Sequence, residues 1–235
     1  MNERRPGYDG QPVEHFRPKS KAYRPLPGGV REEDSQRYWW LCWTWENLLF
    51  ACTTCNGIQH KGNWFPLEGT PMPCPSRPTE SPLDGSLFDT GTESPMLLDP
   101  TDGSDPLDHL QWAPVDRKLP RPEWIWELSG STPRGKTTID FLGLEKLTDD
   151  VREHYRATVW PRFKNEVDDE AEVPKKASSG WYGLCEAIVR PQATFAAATW
   201  WMLEALRRST PQLRELQLDS PPRFPTPQRP CRPPR

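Results

Sequence analysis

The chain has 235 residues, of which 34% are hydrophobic and 29 are proline, so a sizeable part is expected to be loop or extended segment rather than packed core. A formal net charge of -3 at pH 7 excludes a protein that coats nucleic acid by bulk attraction. No stretch is apolar enough to span a bilayer or to act as a secretion signal, which predicts a cytoplasmic protein without a membrane partner.

In chain order, residues 1–12 are polar and rich in Gly and Pro and read as a loose arm. "PVEHF" predicts a short strand, and the Pro, Gly and charge content from Lys19 to Gln36 predicts a long loop. Trp39, Trp40, Trp43 and Trp45 then crowd the most aromatic segment, whose default role is core packing. Residues 68–95 read as a Pro/Ser/Thr/Gly connection. "PMLLDP" and "DHLQWAP" predict short strand or turn pieces, and "EWIWEL" a strand.

Helical spacing of Ile139, Leu142, Leu144, Leu147, Val151 and Tyr155 follows, interrupted near Gly143. A charged gap is predicted at 164–179, then one or two helices broken by Pro191. Within them Trp200, Trp201 and Met202 are read as core ahead of interface. From Thr210 onward Pro and Arg dominate and predict a disordered tail.

The four histidines are His15, His60, His109 and His154. His15 follows Glu14, and His60 lies four residues after Asn56, a spacing that puts both on one face if a helix starts near Cys55. His109 and His154 are read as structural. Arg17, Lys19, Lys21 and Arg24 cluster with no acid among them, which fits either a solvated loop or a phosphate-facing patch.

"VEHFRPKS", "WENLL" and "CTTCNGIQHKGNWFPL" together resemble the HNH endonuclease superfamily. They look like the branch with EHFRPKS and CNxxKGNxFPL signatures, similar to the nuclease subunit of Septu-type and retron-linked anti-phage defence systems. "PMLLDPTDGSDPLDHLQW" and "TTIDFLGLEKLTDDVREHYR" resemble that branch's downstream segments, so the likeness runs from about residue 13 to about residue 156. It implies an α+β fold: a ββα-metal nuclease core in 1–67, a connection in 68–135, a helical region in 136–209 and the tail in 210–235. It also implies His15 as general base, Asn47 as a brace that orients it, and Lys61 as a cation at the catalytic centre. Glu14, Asn56 and His60 would be ligands of Mg²⁺ or Mn²⁺, and Arg17, Lys19 and Lys21 would contact nucleic acid. The implied partners are DNA and an ABC-type ATPase.

Two departures stand out. The spacing from Asn56 to Lys61 is two residues longer than in the CNxxK signature. Relatives carry a second CxxC upstream of the first motif, whereas no cysteine precedes His15 here. Cys52 and Cys55 therefore make half of a tetrahedral site, and structural zinc is not expected. These departures keep a second reading open, a non-catalytic nucleic-acid- or ATPase-binding subunit on the same fold. "GSTPRGKT" satisfies the phosphate-loop pattern GxxxxGK[ST]. It lacks the further parallel strands and the apolar strand ending in Asp that hold magnesium, so an ATPase is not predicted.

Overall fold

A computed structural model describes residues 13–19, 21–25, 31–35, 37–42, 44–51, 61–69, 71–72, 93–170, 172–190, 193–210, 213 and 215–224. The predicted N-terminal arm lies outside these residues, as do Cys52, Cys55, Asn56 and His60 and most of the predicted 68–95 connection. The architecture mixes helices with small antiparallel sheets, in keeping with an α+β class.

The described residues fall into two compact units. One draws on Gly7–Asp102 and Pro133–Gly143, the other on Gly103–Thr132 and Leu144–Pro227. Each unit is thus built from separate stretches of the chain. The helix Pro133–Leu142 belongs with the N-terminal motifs, and Gly143, at φ 61°, makes the left-handed turn that ends it.

In the first unit, β1 (Val13–His15) pairs antiparallel with a distant strand, Leu48–Phe50, with His15 opposite Leu48. Between them lies a hairpin where a loop was predicted: β2 (Ala22–Pro25) pairs with β3 (Arg31–Asp34). Pro and charge masked it in the sequence, but the charges are cross-strand partners. Arg24 donates to Glu32 directly opposite, and Lys21 reaches Glu33 at 2.9 Å. Leu48–Phe50 is therefore β4, and a short β5 (Leu67–Glu68) pairs with β6 (Ser94–Pro95). The core joins Phe16, Tyr38, Trp40, Leu41, Phe65 and Leu97. Phe16 meets Phe65 edge to face with centroids 5.3 Å apart.

The second unit has β7 (Leu110–Pro114) antiparallel to β8 (Trp126–Gly130) as its only sheet among the described residues. Helical residues run from Thr148 to Asp168, and the buried ones are Val151, Tyr155, Val159, Phe163 and Val167, each four after the last. In an α-helix a four-residue repeat drifts by about 40° per step. The wider π-helical turns at Tyr155–Val159 and Lys164–Asp168 take up that drift and hold the stripe toward the core. The predicted charged gap thus shrinks: Lys164–Asp168 is helical and Pro174–Ile188 is already the next helix.

That next helix presses directly on the second π turn. A Cβ on Gly180 would lie 2.0 Å from the Glu166 carbonyl oxygen. Gly180→Ala is expected to destabilise the fold by about 1–3 kcal/mol or more through forced separation of the two backbones. Urea unfolding followed by tryptophan fluorescence would measure it, and an unchanged midpoint would mean the two segments part freely.

The helix Ala196–Ser209 carries Trp200 and Met202 into the core, with Trp201 packed against its margin, as the sequence indicated. Within the predicted tail, 210–235, the described residues are 210, 213 and 215–224, and of these Thr210, Leu213 and Leu218 are buried. Proline-rich chain has few N–H groups to satisfy but every carbonyl remains an acceptor. Those acceptors are used, because Trp181 Nε1 donates to Asp219 O at 3.1 Å, Trp200 Nε1 to Pro221 O at 2.9 Å and Arg207 to Leu218 O at 3.0 Å.

Candidate functional site

One turn organises the site. The 3₁₀ segment Trp39–Leu41 is anchored by buried Trp40 and Leu41 and entered through Tyr38 at φ 63°. Its last carbonyls point at the two residues singled out in the sequence: Asn47 Nδ2 donates to Leu41 O at 3.2 Å, and His15 Nε2 lies 2.9 Å from Cys42 O. A carbonyl oxygen only accepts, so a neutral His15 carries its proton on Nε2 and keeps its lone pair on Nδ1.

Asn47 is 3% exposed and uses its whole amide. Oδ1 accepts from Arg17 N at 2.7 Å, Nδ2 donates to Arg17 O at 3.0 Å, and the Asn47 carbonyl accepts from Phe16 N at 2.8 Å. The chain leaving β1 is thereby held to the turn that feeds β4.

Lys61 is brought to the same strand. Its Nζ donates to the His15 carbonyl at 2.8 Å and, less closely, to Gly62 O at 3.4 Å. Burial lowers its pKa to about 8, and the neighbouring Glu14 carboxylate partly opposes this. The ammonium therefore props up the backbone of the candidate base rather than projecting outward. The unfolded chain holds this proton up to about pH 10.5, whereas the folded chain releases it near pH 8. Stability should thus rise by roughly 3 kcal/mol as pH increases through that window, since the unfolded state then binds more protons. Thermal melts across the window would show a climb in the native chain that Lys61→Met lacks; parallel profiles would place Lys61 in solvent.

Glu14 is the described member of the expected metal-ligand set. Its carboxylate is a hard donor suited to Mg²⁺ or Mn²⁺, yet it lies in the field of the Lys61 ammonium. Among the described residues no three His, Cys, Asp or Glu side chains gather into a metal cluster. Asn56 and His60 lie outside the described residues, on the segment between Ala51, which follows β4, and Lys61, which bonds to β1.

Of the predicted phosphate-facing cations, Arg17 is paired with an acid inside the unit. Its guanidinium donates to Glu93 at 3.2 Å, with the Arg17 side chain 11% exposed and that of Glu93 fully covered. It also stacks over Phe65 at 5.3 Å. Lys21 pairs with Glu33 across the hairpin, and Lys19 is exposed.

Glu93 is the residue that sequence reasoning missed. Besides Arg17 it accepts from the Tyr38 hydroxyl at 3.0 Å and from Met72 N at 2.8 Å. Burial, then the Glu93 charge, raises the Tyr38 pKa far above its ordinary value, so the hydroxyl remains a donor. Glu93 lies 76 residues from Arg17 and 55 from Tyr38, so no local pattern marks it.

His109 and His154 hydrogen-bond to Thr132 Oγ1 at 2.8 Å and Thr199 Oγ1 at 3.0 Å, which matches their structural reading. The phosphate-loop look-alike follows β8, a strand of a two-stranded antiparallel sheet. Its Ser131 N–H is already bonded to His109 O at 2.9 Å, and its strand and helix belong to different units.

No protein-family profile matches the chain, and no solved structure does so. The chain is similar to the Septu protein PtuB of Bacillus mycoides (strain KBAB4), with 36% identity over 100 residues, 43% of this chain and 29% of that protein. The match thus spans under a third of the length of the curated relative. Among the described residues no helix is long and apolar enough to cross a membrane.

Proposed function

We propose that the chain is a divalent-metal-dependent endonuclease that hydrolyses phosphodiester bonds of DNA, of the HNH type, and serves as effector of a Septu-type anti-phage defence complex beside an ABC-type ATPase. The observation that carries the chemistry is His15, fixed by the Cys42 carbonyl with its Nδ1 lone pair available. The similarity to a Septu protein supports the defence setting.

In this reading Nδ1 of His15 takes a proton from the water that attacks phosphorus. Asn47 holds the strand end that carries the imidazole, and Lys61 supports its carbonyl. Glu14, with Asn56 and His60, would hold the cation. A bound divalent ion stabilises charge on the phosphate and on the leaving 3′ oxygen. Lys61 becomes a positioning residue rather than a contact to the nucleic-acid backbone. The products the motifs imply are a 5′ phosphate and a 3′ hydroxyl.

A second reading, a non-catalytic nucleic-acid- or ATPase-binding subunit on the same scaffold, draws support from the Lys61 ammonium in the field of Glu14, which competes with a cation there. Plasmid DNA incubated with Mg²⁺ or Mn²⁺ separates the two. The nuclease reading expects cleavage by the wild-type protein and loss of it in His15→Ala, whereas equal nicking by both proteins overturns it.

A further inference from the structure

Trp45 opens the 3₁₀ turn Trp45–Asn47, yet it is 67% exposed while Asn47 at the other end is 3% exposed. The turn is thus anchored through its last residue and offers an indole to solvent through its first. Three residues earlier, Cys42 O holds the His15 imidazole. Two residues later, the Asn47 amide grips Arg17 N and O, which fixes the turn to the loop that carries exposed Lys19. A flat aromatic, an exposed cation and the candidate base therefore ride on one hydrogen-bonded framework.

We infer that Trp45 is a stacking platform for an unpaired nucleobase of single-stranded DNA, with Lys19 facing an adjacent phosphate. The inference rests on the nuclease reading and deepens it by naming single strands or unpaired ends as the preferred substrate class. Every base has a π-face, so such a platform is indifferent to sequence. A protein partner fits this surface less well. Among the described residues of this unit the exposed large hydrophobic residues are Trp45 and Val13, which are too few to form the apolar centre of a stable protein interface.

The test is fluorescence anisotropy with a labelled single-stranded oligonucleotide and with its blunt duplex, in EDTA so that binding is read without cleavage. Trp45→Ala and Trp45→Leu should each weaken single-strand binding about tenfold, Trp45→Phe should retain most of it, and duplex binding should change little. Trp45→Leu keeps apolar bulk on the turn, so it still decides the matter if the alanine variant fails to fold. Unchanged single-strand affinity in Trp45→Leu overturns the inference, as does an equal loss on duplex and single strand. Weakened capture of the ATPase partner with single-strand binding intact overturns it in favour of a protein contact. Adding metal to the same wild-type protein reads the nuclease proposal separately. Absence of cleavage with Trp45-dependent binding intact would remove the enzyme reading and leave the stacking site standing.

Discussion

His15→Ala is expected to reduce metal-dependent plasmid cleavage by about 10²–10⁴-fold, the range for loss of a positioned general base. The argument rests on the ring's two nitrogens having separate duties. Nε2 is tied to Cys42 O at 2.9 Å, and only Nδ1 keeps a lone pair for the substrate side. His15→Gln sharpens the test, because an amide N–H can still donate toward Cys42 O but the side chain has no basic nitrogen. Both variants should remain folded, since His15 is only partly buried and the strand's backbone bonds are untouched. Added imidazole should restore part of the rate in His15→Ala and none in His15→Gln, where the cavity is filled. Retained cleavage in His15→Gln would move the base to another residue and leave His15 an anchoring role.

The second large effect concerns Glu93, at the centre of the same unit. Glu93→Ala strands three donors at once: the Arg17 guanidinium, the Tyr38 hydroxyl and the Met72 N–H. Removing one partner of a buried ion pair costs about 3–5 kcal/mol because the other charge is left uncompensated. A destabilisation of that order is expected in denaturant unfolding, together with loss of cleavage, since Arg17 N and O are what Asn47 grips. The compensated variant Arg17→Met/Tyr38→Phe/Glu93→Leu removes the side-chain donors along with the acceptor and should recover much of the stability. If Glu93→Ala unfolds at the wild-type midpoint, the buried cluster is not what holds these loops together.

Strand β8 was legible because apolar and polar residues alternate through the EWIWEL stretch that leads into it, β1 and β7 were legible as short pieces, and the Gly143 break was legible because a left-handed turn has a local signature. The β2–β3 hairpin was not, since its stability comes from Arg24–Glu32 and Lys21–Glu33 pairs that read as loop charge until the strands face each other. The helical stretch at 164–168 was missed for a related reason. Val167 continues a four-residue stripe that only π turns keep on one face. Leu218, Asp219 and Pro221 read as part of a tail because the donors that hold their carbonyls, Arg207, Trp181 and Trp200, belong to helices that precede them.

The sequence by itself determined which groups are available for chemistry. A histidine beside a glutamate on a short strand, an asparagine, a lysine and a CxxC followed by Asn56 and His60 are chemical identities, and no fold changes them. Only the tertiary structure decided how they are used. It directs Nε2 of His15 at Cys42 O, turns Lys61 inward onto the His15 carbonyl, and withdraws Arg17 onto Glu93. These assignments depend on donors and acceptors separated by 27, 46 and 76 residues. Hydrogen bonds act over about 3 Å, so which of these groups meet is set by chain topology and burial and not by spacing along the sequence.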